Sequence, residues 1–220
     1  MMFLNAWVGV MVNTLKIIAF DRKSFTAAEQ PNQHAYLQGI SGYHLIDGYT
    51  DAADLVTKIK ALSAANANAC VDYLEINAHG NPITVDSLQL TNIGTWGTEL
   101  KKVPWCDTAS IYLAGCNTGL KTAAGSGSVA EALAGQITFN ATNFAHQIRV
   151  YGSKGYLTGV HASGSEYCSR VLTSRRWRWK WALGFIPYYG YDDVVTHTAY
   201  PGSVDATGSA CWTSFKNGTW

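Results

Sequence analysis

Two apolar runs in this chain end alike. Val71-Asp72-Tyr73-Leu74-Glu75-Ile76-Asn77-Ala78-His79-Gly80 and Ser110-Ile111-Tyr112-Leu113-Ala114-Gly115-Cys116-Asn117-Thr118-Gly119 are largely apolar and of strand length. Each stops at one reactive side chain beside a glycine. Runs of this kind predict parallel strands buried on both faces. Thr14 to Phe20, β-branched and mostly apolar, predicts a first strand. Gln147 to Tyr151 predicts another, followed by the glycine-bearing turn Gly152 to Gly155. Between the first strand and the His79 strand, residues 51–66 place Ala52, Leu55, Val56, Ile59 and Leu62 at helical spacing. Thr50 or Asp51 caps that helix, and Asp51 and Asp54 suit the positive end of its dipole. Strand, helix, strand in this order makes a right-handed crossover the default.

Residues 81–90 alternate over a short β-excursion, and residues 95–103 predict a weaker helix ended by Pro104. Ser128-Val129-Ala130-Glu131 reads as a capping box. It opens a helix that turns Val129, Ala130, Leu133, Ala134 and Ile137 toward the sheet. Residues 21–50 are polar and carry Gly39, Gly42 and Gly48, so a long loop is predicted there, with room for a short hairpin. Loops of that length are usually functional or mobile. Beyond Gly164 the pattern weakens. Residues 175–181 alternate strictly, which on a strand puts Trp177, Trp179 and Trp181 on one face and Arg176, Arg178 and Lys180 on the other. The tail from Thr196 reads as irregular. No repeat or linker divides the chain, so residues 1–220 are read as a single domain, with a core of about 14–155 and an elaborated part of about 164–220.

Composition narrows the classes. An apolar share of 47% suffices for a core in a chain of 220 residues. A net charge of +1 gives no argument for nucleic acid, and charged residues are only 14%, below the usual quarter. Cys70, Cys106, Cys116, Cys168 and Cys211 show no CxxC pair and no metal-ligand spacing. An odd, scattered set in a chain this large points to reduced thiols and a cytoplasmic location, with a secreted or delivered effector as the alternative. Residues 1–20 are apolar but lack a basic leader, and Asn5, Asn13 and Lys16 interrupt them. They fit neither a signal peptide nor a membrane span. The sequons at Asn140 and Asn217 carry little weight alone.

Chemistry collects at the carboxyl ends of strands in open α/β sheets. Two neighbouring strands of the kind described bring His79 and Cys116 to one rim. A cysteine attacks as thiolate, and an imidazole beside it takes the proton and returns one to the leaving amine. Gly80 lets substrate approach closely. The N–H groups of Gly80 and Cys116 are candidates for an oxyanion hole, each donor being worth roughly 3 kcal/mol. Singly, a Cys at a strand end also reads as a buried structural thiol and a His before Gly as a turn residue; their matching positions favour the catalytic pair.

The order of an apolar strand ending in Ala78-His79-Gly80, then one ending in Ala114-Gly115-Cys116, resembles the caspase-like clan of cysteine peptidases, and most of all its bacterial-type domains. The glycine-rich segment and capped helix after Cys116 add to that likeness, which covers about residues 14–155. The resemblance implies a three-layer α/β/α sandwich with a mostly parallel central sheet of caspase type. It implies cysteine endopeptidase activity with His79 as acid/base, Cys116 as nucleophile, no cofactor, no metal and no obligatory third member. Papain-like enzymes carry Cys before His, the reverse of the order here. The sequence departs from caspases in lacking Gln-Ala-Cys-Arg-Gly and in placing Gly115 where they have Ala. His79 also precedes Cys116 by 37 positions rather than about 50. An Asp-specific pocket therefore does not carry over. Inactive members of the clan keep a partner-binding scaffold open as the alternative, and a small-molecule α/β enzyme using Cys116 differently is a third reading.

Around the pair, His44 and Asp47 in the first loop, Gly115 and Asn117 beside the nucleophile, and Asp192 toward the C-terminus are candidate substrate contacts. Asp51 and Asp193 are weaker candidates of the same kind. His34, His146, His161 and His197 are scattered and read as surface or satisfied residues. The expected partner is a protein or peptide substrate, not nucleic acid. The Trp177, Trp179, Trp181 stripe admits packing on the domain, a partner or oligomer platform, or contact with a membrane surface or nucleic acid.

Overall fold

The computed structural model describes residues 13–121, 127–137, 145–158, 162, 167–182, 186–199 and 212–217; within 167–182 and 186–199 only the backbone is described. Its centre is a six-stranded, mostly parallel sheet. Strand β1 (Thr14–Phe20) lies between β2 (His44–Asp47) and β3 (Cys70–Asn77), followed by β7 (Trp105–Ala114) and β8 (Gln147–Ser153). These pairings are parallel, and β12 (Trp212–Lys216) closes the far edge antiparallel to β8. Helix α1 (Gln30–Gln38) connects β1 to β2. Helix α2 (Ala52–Ala65) follows β2, α3 (Ile93–Leu100) precedes β7, and α4 (Val129–Gln136) precedes β8.

Amphipathic spacing decides which faces are buried. Leu55, Val56 and Ile59 of α2, Trp96 and Leu100 of α3, and Val129, Leu133 and Ala134 of α4 share one core with Ile17, Leu74, Ile76, Ile111, Leu113 and Val150. On the opposite face Leu37 of α1 packs with Ile18 and Phe20. Tyr112, Tyr151 and Trp212 form a separate aromatic cluster beside them. The parallel strands alternate in burial at their starts and are continuously buried at their ends. The second layer thus covers the carboxyl half of the sheet, where both faces are buried and mostly apolar, with Glu75 and Asn77 of β3 as buried polar exceptions. A mixed α/β fold around a mostly parallel sheet is therefore what the chain adopts.

Four expectations are corrected. Residues 21–50 are not a long loop: they form a 3-10 turn (Arg22–Ser24), α1 and the edge strand β2. The sequence signal was faint because α1 buries only Leu37 and β2 is four residues long. The tail is not wholly irregular, since β11 (Ile186–Ala199) runs past Thr196 and β12 completes the central sheet. Cys70 and Cys106 are not free thiols but a disulfide, which ties the start of β3 to the start of β7. The capping box is half made: Ser128 Oγ accepts from Glu131 N–H at 3.1 Å, while Glu131 Oε2 is buried without a partner.

The remaining strands lie outside the central sheet. β4 (Gly80–Asn81), β5 (Thr84–Val85) and β6 (Leu88–Gln89) form a small antiparallel flap after His79. β9 (Tyr156–Thr158) pairs with β10 (Tyr167–Ala182), which pairs with β11. The backbone register sets Trp177 opposite Tyr191 and Trp179 opposite Tyr189. The side chains of the Trp stripe, Asp192, Asp193 and His197 lie outside the described part, as does His161. No helix among the described residues is long and apolar enough to cross a membrane.

Candidate active site

Asn77 and Ala114 are register partners at the ends of β3 and β7. The ladder continues one step further, with Ala78 N–H donating to Ala114 O at 3.4 Å. His79 and Cys116 each stand two residues beyond that last matched pair, in turns rather than in strands. Both line one cleft of about 180 Å³, together with Phe25, Gln33, Asn77, Ala78, Ala114, Gly115 and Leu157. Cys116 is half-buried and is the one free cysteine among the residues whose side chains are described. Its thiol lies 3.9 Å from Leu157 O.

Hydrogen bonds to β7, to β8 and to the turn after β8 hold the Cys116 turn. Thr118 Oγ1 donates to Leu113 O at 2.8 Å and accepts from Ser153 N–H at 2.9 Å. Ser153 Oγ donates to Gly115 O at 2.6 Å, and Asn117 N–H donates to Gly155 O at 2.7 Å. Asn117 has φ 59°, a left-handed conformation that Asn tolerates better than most residues. The residue after Cys116 thus shapes the turn. Gly119 and Gly152 lie close enough that a Cβ on Gly119 would meet Gly152 O at 2.4 Å, so the turn after β7 meets β8 here backbone to backbone.

The His79 turn is held from the other side. His79 N–H donates to Ser24 Oγ at 2.5 Å, and its ring lies 4.7 Å from the Phe25 ring, centroid to centroid. Nε2 is 3.9 Å from Glu29 Oε2. The imidazole remains 60% exposed. His79 O accepts from Asp86 N–H at 3.1 Å, so the adjacent Gly80–Val85 pair is the non-hydrogen-bonded one and the Gly80 N–H points away from the flap. Asp86 borders a second cleft on that side with His79, Gly80, Asn81, Thr84 and Gln89. Burial, and then the Asp21 carboxylate beside it, push the Asp86 carboxyl above its ordinary range.

Other expected contacts fall elsewhere. His44 pairs in register with Ile17, three positions below the rim, and does not line the cleft. Asp47 does reach the rim, opposite Phe20, but its carboxylate is taken by Arg22 and by His34 Nε2 at 3.1 Å. The Arg22 guanidinium holds the Asp47 carboxyl below the usual carboxylate range. Asp51 caps α2 through Asp54 N–H. His146 Nδ1 lies 3.0 Å from Cys106 O, at the far end of the strands. Asn217 is buried, bonded to Ile148 N–H and His146 O, while Asn140 lies outside the described residues.

Sequence reasoning missed Ser24, Phe25, Glu29, Gln33 and Ser153. The motif Thr26-Ala27-Ala28-Glu29, with Pro31 at the first turn, was a legible helix start that the polar composition of 21–50 obscured. Among the described residues no group of three or more His, Cys, Asp or Glu side chains is placed to hold a metal ion. Comparison of the chain with protein-family models, with curated proteins and with solved structures finds no match.

Proposed function

We propose that the chain is a cysteine endopeptidase of caspase-like type, with Cys116 as nucleophile and His79 as acid/base. The observation that carries this reading is that both side chains, far apart in sequence, line one open cleft at the carboxyl rim of the parallel sheet. The Cys116 thiol gives its proton to the imidazole and the thiolate adds to the scissile carbonyl. The Gly80 and Cys116 N–H groups hold the resulting oxyanion, and His79 returns the proton to the leaving amine. The cleft volume of about 180 Å³ supports a single side chain of an extended peptide over a compact small molecule, whose pockets run to about 300–1,000 Å³. The Cys70–Cys106 bond supports the exported alternative over a cytoplasmic location, because such bonds persist in oxidising compartments.

A peptide-library cleavage screen tests the assignment, with Cys116→Ala and His79→Ala as controls. Cleavage by the wild type alone is expected; cleavage retained by Cys116→Ala overturns it. One observation favours the scaffold reading: the thiol lies against Leu157 O, a contact a structural cysteine would make. Iodoacetamide separates the two, since a working dyad labels fast at Cys116 and a scaffold labels slowly throughout.

A further inference from the structure

We infer that Glu29 is a positioning residue for His79, a third member of the site supplied by the segment between β1 and α1. The inference rests on the peptidase reading and deepens it.

Three neighbours in that segment grip one histidine. Ser24 fixes its backbone, Phe25 covers one face of its ring, and Glu29 faces Nε2. Glu29 is itself held in place. The oxygen that faces His79 accepts from Thr26 N–H at 2.9 Å and from Thr26 Oγ1 at 2.7 Å. It also sits at the start of α1, where the helix dipole favours negative charge. The Thr26 bonds, and to a smaller degree the charge of His79, hold the Glu29 carboxyl below its ordinary range, so it is ionised when the imidazole is charged. Lys58–Asp54 and Lys102–Glu99 are surface pairs one helical turn apart on a single segment. Glu29–His79 instead joins two segments at the mouth of the cleft.

The chemical consequence concerns which nitrogen works. A carboxylate opposite Nε2 favours the tautomer with hydrogen on Nε2 and leaves the Nδ1 lone pair to serve the thiol. Cys116 Sγ–H transfers its proton to Nδ1, forming thiolate and imidazolium, and Glu29 stabilises the positive charge on the far side of the ring. On collapse of the tetrahedral intermediate the Nδ1 proton passes to the leaving amine and the neutral ring is restored. Glu29 touches neither substrate nor sulfur in this scheme; it acts through His79.

The test is the pH dependence of Cys116 alkylation by iodoacetamide in the full chain, comparing wild type, His79→Ala and Glu29→Gln. Gln keeps an oxygen for both Thr26 bonds and removes only the charge. At low salt near neutral pH, Glu29→Gln is expected to label roughly three- to fivefold more slowly than wild type, the scale of an exposed ion pair. The rates converge above about pH 9, where any thiol ionises. They also converge near 1 M salt, where the charge is screened. If Glu29→Gln fails to fold, Glu29→Ala replaces it in the same comparison, with slowing at neutral pH and low salt again expected and a profile superimposed on wild type again overturning the role. Superimposed wild-type and Glu29→Gln profiles, or a salt-independent wild type, overturn the role of Glu29. Wild type and His79→Ala labelling alike would instead overturn the dyad on which that role depends.

Discussion

Gly80 and Gly115 touch backbone to backbone: a Cβ built on either would come within 3.0 Å of the other's Cα. This contact seats the His79 turn against the Cys116 turn. It also explains why position 115 is glycine, because a Cβ there would meet Ala78 O and Gly80 Cα at 3.0 Å and Gly80 N at 3.1 Å. Neither turn gives way easily, since both are anchored by hydrogen bonds. Gly115→Ala is expected to lose about 1–3 kcal/mol of stability, the usual cost of overpacking. Displacing one turn by a few tenths of an ångström or more is also expected to lower the proposed peptidase activity, by up to about 10²-fold. Chemical denaturation and cleavage rates on one preparation check both. A fully active, fully stable Gly115→Ala would show that the contact is not what aligns the pair.

Ser153→Ala removes the donor to Gly115 O. A buried carbonyl left without its partner costs about 1–3 kcal/mol. The urea midpoint is expected to fall accordingly, with the alkylation rate of Cys116 falling alongside it because the same carbonyl immediately precedes Cys116.

The disulfide sits at the opposite end of the strands from the cleft, so its loss separates stability from chemistry. Closing a loop between positions 36 apart is worth roughly 4 kcal/mol by chain entropy. Cys70→Ser is therefore expected to lower the thermal midpoint by about 10 °C, with the Cys116 labelling rate at 25 °C unchanged. A labelling rate that tracks the midpoint would show the two ends to be coupled.

Asp86 gives a pH prediction of definite sign. Burial, followed by the neighbouring Asp21 carboxylate, raises its carboxyl pKa in the folded chain. The folded state therefore binds the proton more tightly than the unfolded chain. That contribution is complete below the ordinary carboxylate value of about 3.9 and is lost as pH rises through the elevated folded value. Asp86→Asn removes the charge, and Asn is well suited to the φ of 40° found there. The variant is expected to exceed wild type at pH 7 by about 0.5 kcal/mol after allowance for solvent screening, and to match it near pH 4. Urea midpoints at the two pH values decide the matter.

Local pattern was enough for much of this molecule. The apolar runs at 71–80 and 110–119, the helical spacing from Ala52 to Leu62 and the cap at Ser128 each record a single element's burial, and burial imposes a period that neighbouring residues display. The matched endings at His79 and Cys116 were legible for the same reason. The grip on His79 by Ser24, Phe25 and Glu29, the seat of Gly115 on Gly80, and the Cys70–Cys106 bond were decided only by tertiary structure. Each joins residues 35 or more positions apart whose own neighbourhoods carry no periodic signal. Which segments meet across the rim depends on strand order and register, and those are settled by packing the whole sheet rather than by any one stretch of chain.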